Sequence, residues 1–482
     1  MPFDPAYKPD PRFAALGPDF ADPVEPADFP KAELRFWNQR WAQEVGLGEL
    51  TEAERQSHFH HFEPLPDNQP RPLAVRYHGH QFRTYNPEIG DGRGFLFAQL
   101  RDSRGRLLDL GTKGSGQTPY SRSGDGRLTL KGAVREVLAS EMLEALGVYT
   151  SKTLAVYETG EQLHRGDEPS PTRSAVMTRL SHSHVRFGMF QRHAYFDRPD
   201  LVETLLEYAI ETYHPEAGRA SGPDRASAFL RAVCEKSAAL AAQWMAAGFV
   251  HGVLNTDNLV VTGESFDYGP WRFLPSFEPG FTAAYFDQTG LYAYARQPES
   301  VFWALQQLAG ALSLVGDRDG LVEALSAYPD MYKREVPRAF LRRLGLAETP
   351  GEAGVEADGA FVSGFLNAMR EMQLPWEQVF FDWFGGAASQ ARADASAHAD
   401  QYRSPAFAPV REGLLSREPV CPERLEHAYF RRANPVHLTI EAVEALWAPI
   451  HEDDDWSAYR QTLEDIAEAR EGYGLGEGRS GF

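Results

Sequence analysis

Cysteine is almost missing from this chain: Cys234 and Cys421 are the only two among 482 residues. Two thiols make neither a disulfide framework nor a zinc ribbon, and their scarcity fits a reducing, cytoplasmic compartment. Positive charge is also in deficit. Lys and Arg number 48 against 68 Asp and Glu, a formal net charge of −20. That balance excludes a general nucleic-acid binder, because phosphate-backbone affinity needs a basic surface. It equally disfavours adsorption to an anionic membrane. No apolar run approaches the roughly 18 residues that suggest a membrane span. The opening MPFDPAYKPDPRF has neither the charged and apolar regions of a secretory leader nor an Arg/Ser-rich transit composition. Internal repeats and low-complexity tracts are absent too. What is present is a hydrophobic content of 43% and an aromatic content of 12%, enough for a sizeable core. At about 150 residues per domain the length suggests about three units, or one two-lobed body with additions.

The charge is unevenly spread. Between Arg71 and Arg135 twelve Lys/Arg face five Asp/Glu, a local balance of +7 that leaves −27 for the remainder. Extending the window to Thr150 adds Glu136, Glu141 and Glu144 and lowers the balance to +4. This basic stretch coincides with the glycine-rich part of the chain. Cations concentrated beside glycines in an otherwise acidic protein point to a small polyanion as ligand.

The coarse organisation is a β-rich half followed by a helical one. A Pro-rich opening leads to an expected helix over 31–46, with Leu34, Trp37, Trp41 and Val45 at 3–4 spacing. Residues 61–130 read as strands, and 94–102 with 106–113 read as a hairpin turning at 103–105. Alternation along 106–113 puts Leu108, Leu110 and Thr112 on one face, and Leu107, Asp109 and Lys113 on the other. A helix is expected from about Leu130 to Leu146, stopped by Gly147, then strands over 153–159 and 174–180. Beyond Pro199 helices dominate, over 200–213, 225–248, 299–328 and onward, interrupted by an extended stretch at 250–275. Soft joints are expected at 348–359 and 402–409. The acidic stretch from Glu441 reads as a solvated helix ending in a frayed tail, GYGLGEGRSGF.

Four segments could carry chemistry. Gly90-Asp91-Gly92-Arg93-Gly94 precedes the hairpin. Glycines let backbone N–H groups approach phosphate oxygens and Arg93 adds a charged fork, although an ordinary glycine turn has the same composition. Lys113 ends its strand, where a solvated edge charge is the plain alternative. Glu136, early in the next helix, can return to it, as a helix Glu does to a strand Lys in protein-kinase-type phosphotransferases. GTKGSGQT lacks the Gly-Lys-Ser/Thr ending and the buried parallel strand of a Walker A loop.

The third segment is the most specific: His251-Gly-Val-Leu-Asn-Thr-Asp257-Asn258, then LVVTGESF, then Asp267-Tyr-Gly. Counted from His251, Asn258 falls on the metal-binding Asn of a kinase catalytic loop, and Asp267 on the Asp of Asp-Phe-Gly. An amide oxygen and a carboxylate are hard ligands suited to Mg²⁺, with phosphate and water completing the octahedron. Gly263-Glu264 is expected to turn a hairpin that joins them. Val253 stands where a kinase has its catalytic Asp, so Asp257 is the only carboxylate of the loop left to accept a proton. Turn hydrogen bonds from Asn and Asp are the alternative. Last, Arg179 and Arg186 bracket SHSHVRFGMF. Two further cations would help neutralise a triphosphate, though either could be a surface charge. The paired histidines of this region (His182, His184) and of others (His58, His60, His61, His78, His80) have no Cys beside them and read as packing rather than zinc ligands.

Together these segments resemble the selenoprotein O family of kinase-like protein adenylyltransferases. The resemblance rests on GHQF (79–82), GDGR (90–93), LGTKGSGQTPYSRSGDGR (110–127), REVLASEMLEALGV (135–148), HVRFGMFQ (184–191), HGVLNTDNLVVTGESFDYGP (251–270) and FDQTGLYAYARQP (286–298). It implies an α+β, atypical protein-kinase-like bilobal fold with a β-rich N-lobe, a helical C-lobe and a helical C-terminal extension. The corresponding division is 1–60, an N-terminal segment packing on the core; 61–185, the nucleotide-binding lobe; 186–345, the catalytic and metal loops; and 346–482, the extension. It further implies ATP bound in reversed orientation and AMP transferred to Ser, Thr or Tyr hydroxyls of protein substrates, with Mg²⁺ or Mn²⁺. By resemblance Gly90, Gly92, Arg93, Lys113, Asp125, Gly126, Arg179 and Arg186 would hold the nucleotide, and Glu136 would orient Lys113. Asn258 and Asp267 would bind the metal, and Asp257 would accept the proton. Three departures stand out. Arg83 follows GHQF where the family carries Gly, so the local backbone is expected to differ. No Pro-Arg-Asn-His stretch follows Asn434-Pro435, and the chain ends in Ser-Gly-Phe without Cys or selenocysteine. UMP transfer from UTP, γ-phosphoryl transfer and an inactive nucleotide-binding pseudokinase are the alternatives. Val253 counts against γ-transfer, and the joint presence of Lys113, Glu136, Asn258 and Asp267 counts against inactivity.

Overall fold

The computed structural model describes residues 4–166 and 168–476. The first half supplies strands β1 (Ala21–Pro23) and β2 (Glu33–Trp37), helices α1 (Gln39–Glu44) and α2 (Glu52–Phe59), and strand β3 (Leu73–Val75). A small pair, β4 (Gly79–Gln81) and β5 (Thr84–Asn86), comes next. The expected hairpin is β6 (Leu96–Arg101) with β7 (Leu107–Lys113), antiparallel. Its turn is closed by the Gly105 N–H donating to the Asp102 carbonyl at 3.0 Å. Strand β8 (Leu128–Thr129) runs into α3 (Leu130–Ala145), followed by β9 (Lys152–Leu163) and β10 (Thr172–Ser181). Thr129 caps α3 by accepting the Gly132 N–H at 3.1 Å, and Gly147 ends it at φ 76°, a left-handed value that suits glycine.

One antiparallel sheet results, ordered β1-β3-β6-β7-β10-β9-β2, with β8 attached to β10. The period-2 alternation of β7 is borne out. Leu108 and Leu110 join Phe95, Phe97 and Tyr157 in a core shared with the N-terminal segment. On the other side α3 packs against β9 and β10 through a core that includes Leu130, Val134, Leu138 and Met142. Lys113 lies on that second side, where its partner on α3 is found.

The second half is helical: α4 (Phe187–Tyr195), α5 (Pro199–Tyr213), α6 (Asp224–Ala247), then, past the strand pair β11 (Phe249–Val250) and β12 (Arg272–Phe273), α7 (Gln297–Leu312), α8 (Arg318–Ser326), α9 (Tyr328–Arg343) and α10 (Glu352–Met372). It ends with α11 (Trp376–Asp382), α12 (Gln390–Ala395), α13 (Ala399–Arg403), α14 (Ala408–Ser416), α15 (Ile440–Asp453) and α16 (Ser457–Tyr473). Among the described residues no helix is long and apolar enough to cross a membrane.

Several expectations are corrected. The helix over 31–46 is a strand and then a short helix. Leu34 and Phe36 pair with Tyr157 and Val156 of β9, so a sheet edge claims the first residues before Asn38 caps α1 by accepting the Trp41 N–H at 3.2 Å. The helical stretch 299–328 breaks in two where Asp317 caps α8, accepting the Gly320 N–H at 3.0 Å. The joint at 348–359 is mostly the start of α10. Gly263 turns the chain, but its flanks do not pair as a hairpin: Val260 bridges to Arg186 and Ser265 to Thr150. The acidic C-terminal helices are not simply solvated. Helix α16 buries Tyr459, Ile466, Ala469 and Tyr473 and ties to α3 through Arg470 Nη1 and Glu141 Oε2 at 2.8 Å. Of the tail GYGLGEGRSGF, 477–482 lies outside the described residues.

Candidate active site

A cleft of about 670 Å³ opens between the sheet and the loops that follow it. Gly90, Gly92, Arg93, Lys113, Asp125, Gly126, Arg179, Arg186, Asp257 and Asp267 all line it. Their separation along the chain makes this convergence a product of the fold. Glu136 stands behind Lys113, 2% exposed. Asn258 is adjacent to the lining residue Asp257 in a short 3-10 turn, Thr256–Asn258. Its Nδ2 donates to the Val253 carbonyl at 3.0 Å, so Val253 contributes its backbone where it offers no carboxylate.

The electrostatic centre is a ladder of buried charges. Lys113 Nζ donates to Glu136 Oε2 at 2.5 Å and to Asp267 Oδ1 at 2.8 Å. Arg179 Nη1 donates to Glu136 Oε1 at 2.9 Å and lies 3.5 Å from Asp267 Oδ1. Arg186 Nη1 donates to the Asp257 carbonyl at 2.6 Å and lies 3.5 Å from Asp267 Oδ2, while its Nη2 is 3.5 Å from Asp91 Oδ1. Phe266 packs under both guanidinium groups, at 5.0 Å from Arg179 and 4.7 Å from Arg186. Three cations (Lys113, Arg179, Arg186) thus face three carboxylates (Glu136, Asp267, Asp91).

The carboxyls differ by environment. Burial alone would raise Asp267, but Lys113, Arg179 and Arg186 outweigh it and hold the group well below the usual carboxylate range. Burial pushes Asp257 up to about 6, with Arg186 opposing and Asp267 adding to the rise. Asp257 Oδ1 is buried without a hydrogen-bond partner among the described residues. Burial also raises Asp91, against the pull of Arg186.

The loop that carries these groups is anchored locally. His251 Nε2 lies 3.0 Å from the Phe266 carbonyl, one residue before Asp267. Asp267 itself adopts φ 65°. Strand β4 donates the His80 N–H to Thr256 Oγ1 at 2.8 Å, and the Phe82 N–H bonds Asn255 Oδ1 at 3.0 Å. Arg83, in the β4–β5 turn, lies at φ 63°, a left-handed conformation that a glycine would hold at lower cost.

The glycines have reasons of their own. A Cβ on Gly90 would meet the Tyr120 ring at 2.5 Å, so the loop needs glycine there for packing whatever its backbone binds. Gly126 has φ 70°, and a Cβ would lie 2.2 Å from the Gly116 backbone. Asp125 is fixed by Arg165, whose Nη1 and Nη2 donate to its two oxygens at 2.7 and 3.0 Å. Sequence reasoning missed the roles of Asp91, Tyr120, His184 and Arg165 as cleft residues. Asp91 lay inside the quoted glycine segment and His184 inside the quoted histidine pair, but Arg165 carried no local signal. Among the described residues no three His, Cys, Asp or Glu cluster as a metal site.

Comparison with known proteins shows the family of the chain. The chain is 43% identical over 477 residues to the "Protein nucleotidyltransferase YdiU" of Synechococcus elongatus, covering 96% of this chain and 94% of that one. The protein of the same description from Gloeobacter violaceus is 44% identical over 470 residues, 93% of each chain. That of Vibrio cholerae is 40% identical over 355 residues, 74% of this chain and 70% of the other. A family model described as "Protein adenylyltransferase SelO" matches residues 6–467, and on that match and these relatives the chain belongs to the SelO/YdiU family.

Proposed function

We propose that this protein transfers AMP from ATP to Ser, Thr or Tyr hydroxyls of other proteins, in a kinase-like cleft that holds the nucleotide reversed. The observation that carries the reading is the placement of Lys113, Arg179 and Arg186 around Asp267, with the buried, unpartnered Asp257 carboxylate oxygen beside them. In a kinase-like division, 61–185 would be the nucleotide-binding lobe, 186–345 the lobe of catalytic and metal loops, and 1–60 and 346–482 additions to them.

The chemistry follows from charge. The hydroxyl oxygen of the acceptor attacks the α-phosphorus, a new P–O bond forms, and the α–β bridging bond breaks with its electron pair leaving on pyrophosphate. The hydroxyl proton goes to Asp257, whose raised affinity for protons suits a base shielded from water. Lys113, Arg179, Arg186 and Arg93 meet the charge that grows on the departing pyrophosphate, a task preorganised cations perform without reorganisation at the moment of reaction. Glu136 keeps Lys113 and Arg179 aimed at that position. Asp125 and Gly126, in the loop before α3, are assigned to nucleotide contact. Positioning supplies the remaining rate enhancement.

The internal cations are already paired with buried carboxylates, so an arriving triphosphate needs further positive charge. The donor set fits a hard divalent ion: Asp267 is a dissociated carboxylate, and Asn258, its Nδ2 committed to Val253, keeps an amide oxygen to offer. Asn258 and Asp267 would hold Mg²⁺ or Mn²⁺, which when bound supplies charge neutralisation to the phosphates. Mass spectrometry of acceptor proteins incubated with ATP and either metal tests the proposal. Adenylyl esters on hydroxyl side chains are expected; phosphoryl esters in their place would return the site to γ-transfer, and adduct formed from UTP in preference to ATP would reassign the nucleotide.

A further inference from the structure

Strand β7 turns Asp109, Gly111 and Lys113 to the same side of the sheet. The register with β10 sets Gly111 opposite Arg179, so this glycine occupies a rung of the charge ladder just described. A Cβ at Gly111 would lie 2.3 Å from Nε2 and 2.5 Å from Cε1 of His184. The imidazole fills the slot that the missing side chain leaves. Asp109 pins it there: Oδ2 accepts the His184 backbone N–H at 2.7 Å and lies 3.2 Å from Nδ1. Asp109 is itself 1% exposed and is held by Gln99, whose Nε2 donates to Oδ1 at 2.7 Å. His184 nonetheless lines the cleft. With Nδ1 on the carboxylate, Nε2 is the nitrogen left for a ligand. The charged groups around the ring are Asp109 on β7, Arg179 on the facing rung of β10, and Asp91 of the glycine segment, whose carboxyl is influenced by His184. A space-filling role accounts for the contact with Phe266 at 6.1 Å. It does not account for a ring that borders the cleft on the Arg179 rung with its own buried carboxylate.

We infer that His184, fixed by Asp109 in the slot over Gly111, is a further ligand of the nucleotide's terminal phosphates, the part that leaves as pyrophosphate. This rests on the nucleotidyl-transfer reading above. Calorimetric titration of the full chain with Mg²⁺-pyrophosphate, ATP and AMP tests it, in the wild type, His184→Gln and Gly111→Ala. Loss of one charged hydrogen bond should weaken pyrophosphate and ATP by about tenfold or more in His184→Gln and leave AMP affinity within about twofold. Gly111→Ala should do the same by displacing the ring; should that variant fail to fold, His184→Gln decides alone. Unchanged pyrophosphate affinity in His184→Gln, or an equal loss for AMP and pyrophosphate, overturns the inference while leaving the nucleotide site intact. Failure of the wild type to bind either ATP or pyrophosphate refutes the underlying reading and this inference with it.

Discussion

Replacing Glu136 by Gln probes the charge ladder with little change of shape. Glu136 accepts Lys113 at 2.5 Å and Arg179 at 2.9 Å, and its side chain is 3% exposed, against 7% and 5% for the two cations. Its charge offsets Lys113 and Arg179, so the substitution leaves those two buried cations with less compensation. Removing one member of a buried ion pair costs about 3–5 kcal/mol, because the partner's desolvation is no longer compensated. Here the cost falls at the lower end, about 3 kcal/mol, because Asp267 stays within 2.8 Å of Lys113 and 3.5 Å of Arg179. The assay is denaturant or thermal unfolding of wild type and variant side by side. A second readout is the metal concentration needed for half-maximal activity. It should rise, since Lys113 released from Glu136 competes with the metal for Asp267. A variant within about 0.5 kcal/mol of wild type, the range of a surface substitution, would refute the claim that this network is a desolvated, ion-paired unit.

Other consequences can be measured independently. Gly126→Ala should weaken ATP binding and lower stability by at least about 1–2 kcal/mol, the left-handed cost alone, because its Cβ would lie 2.2 Å from the Gly116 backbone; a variant with wild-type ATP affinity and melting temperature contradicts this. Glu377→Ala should cost about 3–5 kcal/mol, since it strands Arg343, which is 2% exposed and donates to both Glu377 oxygens at 2.6 Å; thermal unfolding checks it. Burial raises Glu264 from 4.5 to about 7, with Lys152 opposing. Its folded-state pKa exceeds the unfolded value, so its contribution to stability is complete below pH 4.5 and is lost as pH rises through about 7. Glu264→Gln should therefore flatten the decline in melting temperature between about pH 4.5 and about pH 7; an unchanged slope would sink the assignment.

What could be read from sequence was local. The β6–β7 hairpin, helix α3 and the Lys113–Glu136 pair follow from period-2 and period-3.6 spacing with turn residues at their ends, and all lie within one short stretch of chain. Within the run from His251 to Asp267, spacing identified a loop that brings Asp257 and Asp267 to the cleft, although the hairpin expected at Gly263 does not form. Long-range pairings were not. Arg186 reaches Asp91 across 95 positions and Arg470 reaches Glu141 across 329, and nothing in either neighbourhood announces the partner. The misread helix over 31–46 failed for the same reason. Leu34, Trp37, Trp41 and Val45 satisfy a helical spacing, but the open edge of β9 pairs with residues 33–37 in a way that only the folded sheet reveals. At Gly90 the fold adds a packing demand, the Tyr120 ring, to a position read only for phosphate.

The central claim is that the α-phosphorus, not the γ-phosphorus, reacts in this cleft. Incubation of the protein and acceptor proteins with Mg²⁺ or Mn²⁺ and ATP labelled at either phosphorus tests it directly. The account predicts label retained on protein from α-labelled ATP, none from γ-labelled ATP, and loss of the signal in Asp267→Ala. Retention from γ-labelled ATP without retention from α-labelled ATP would contradict it.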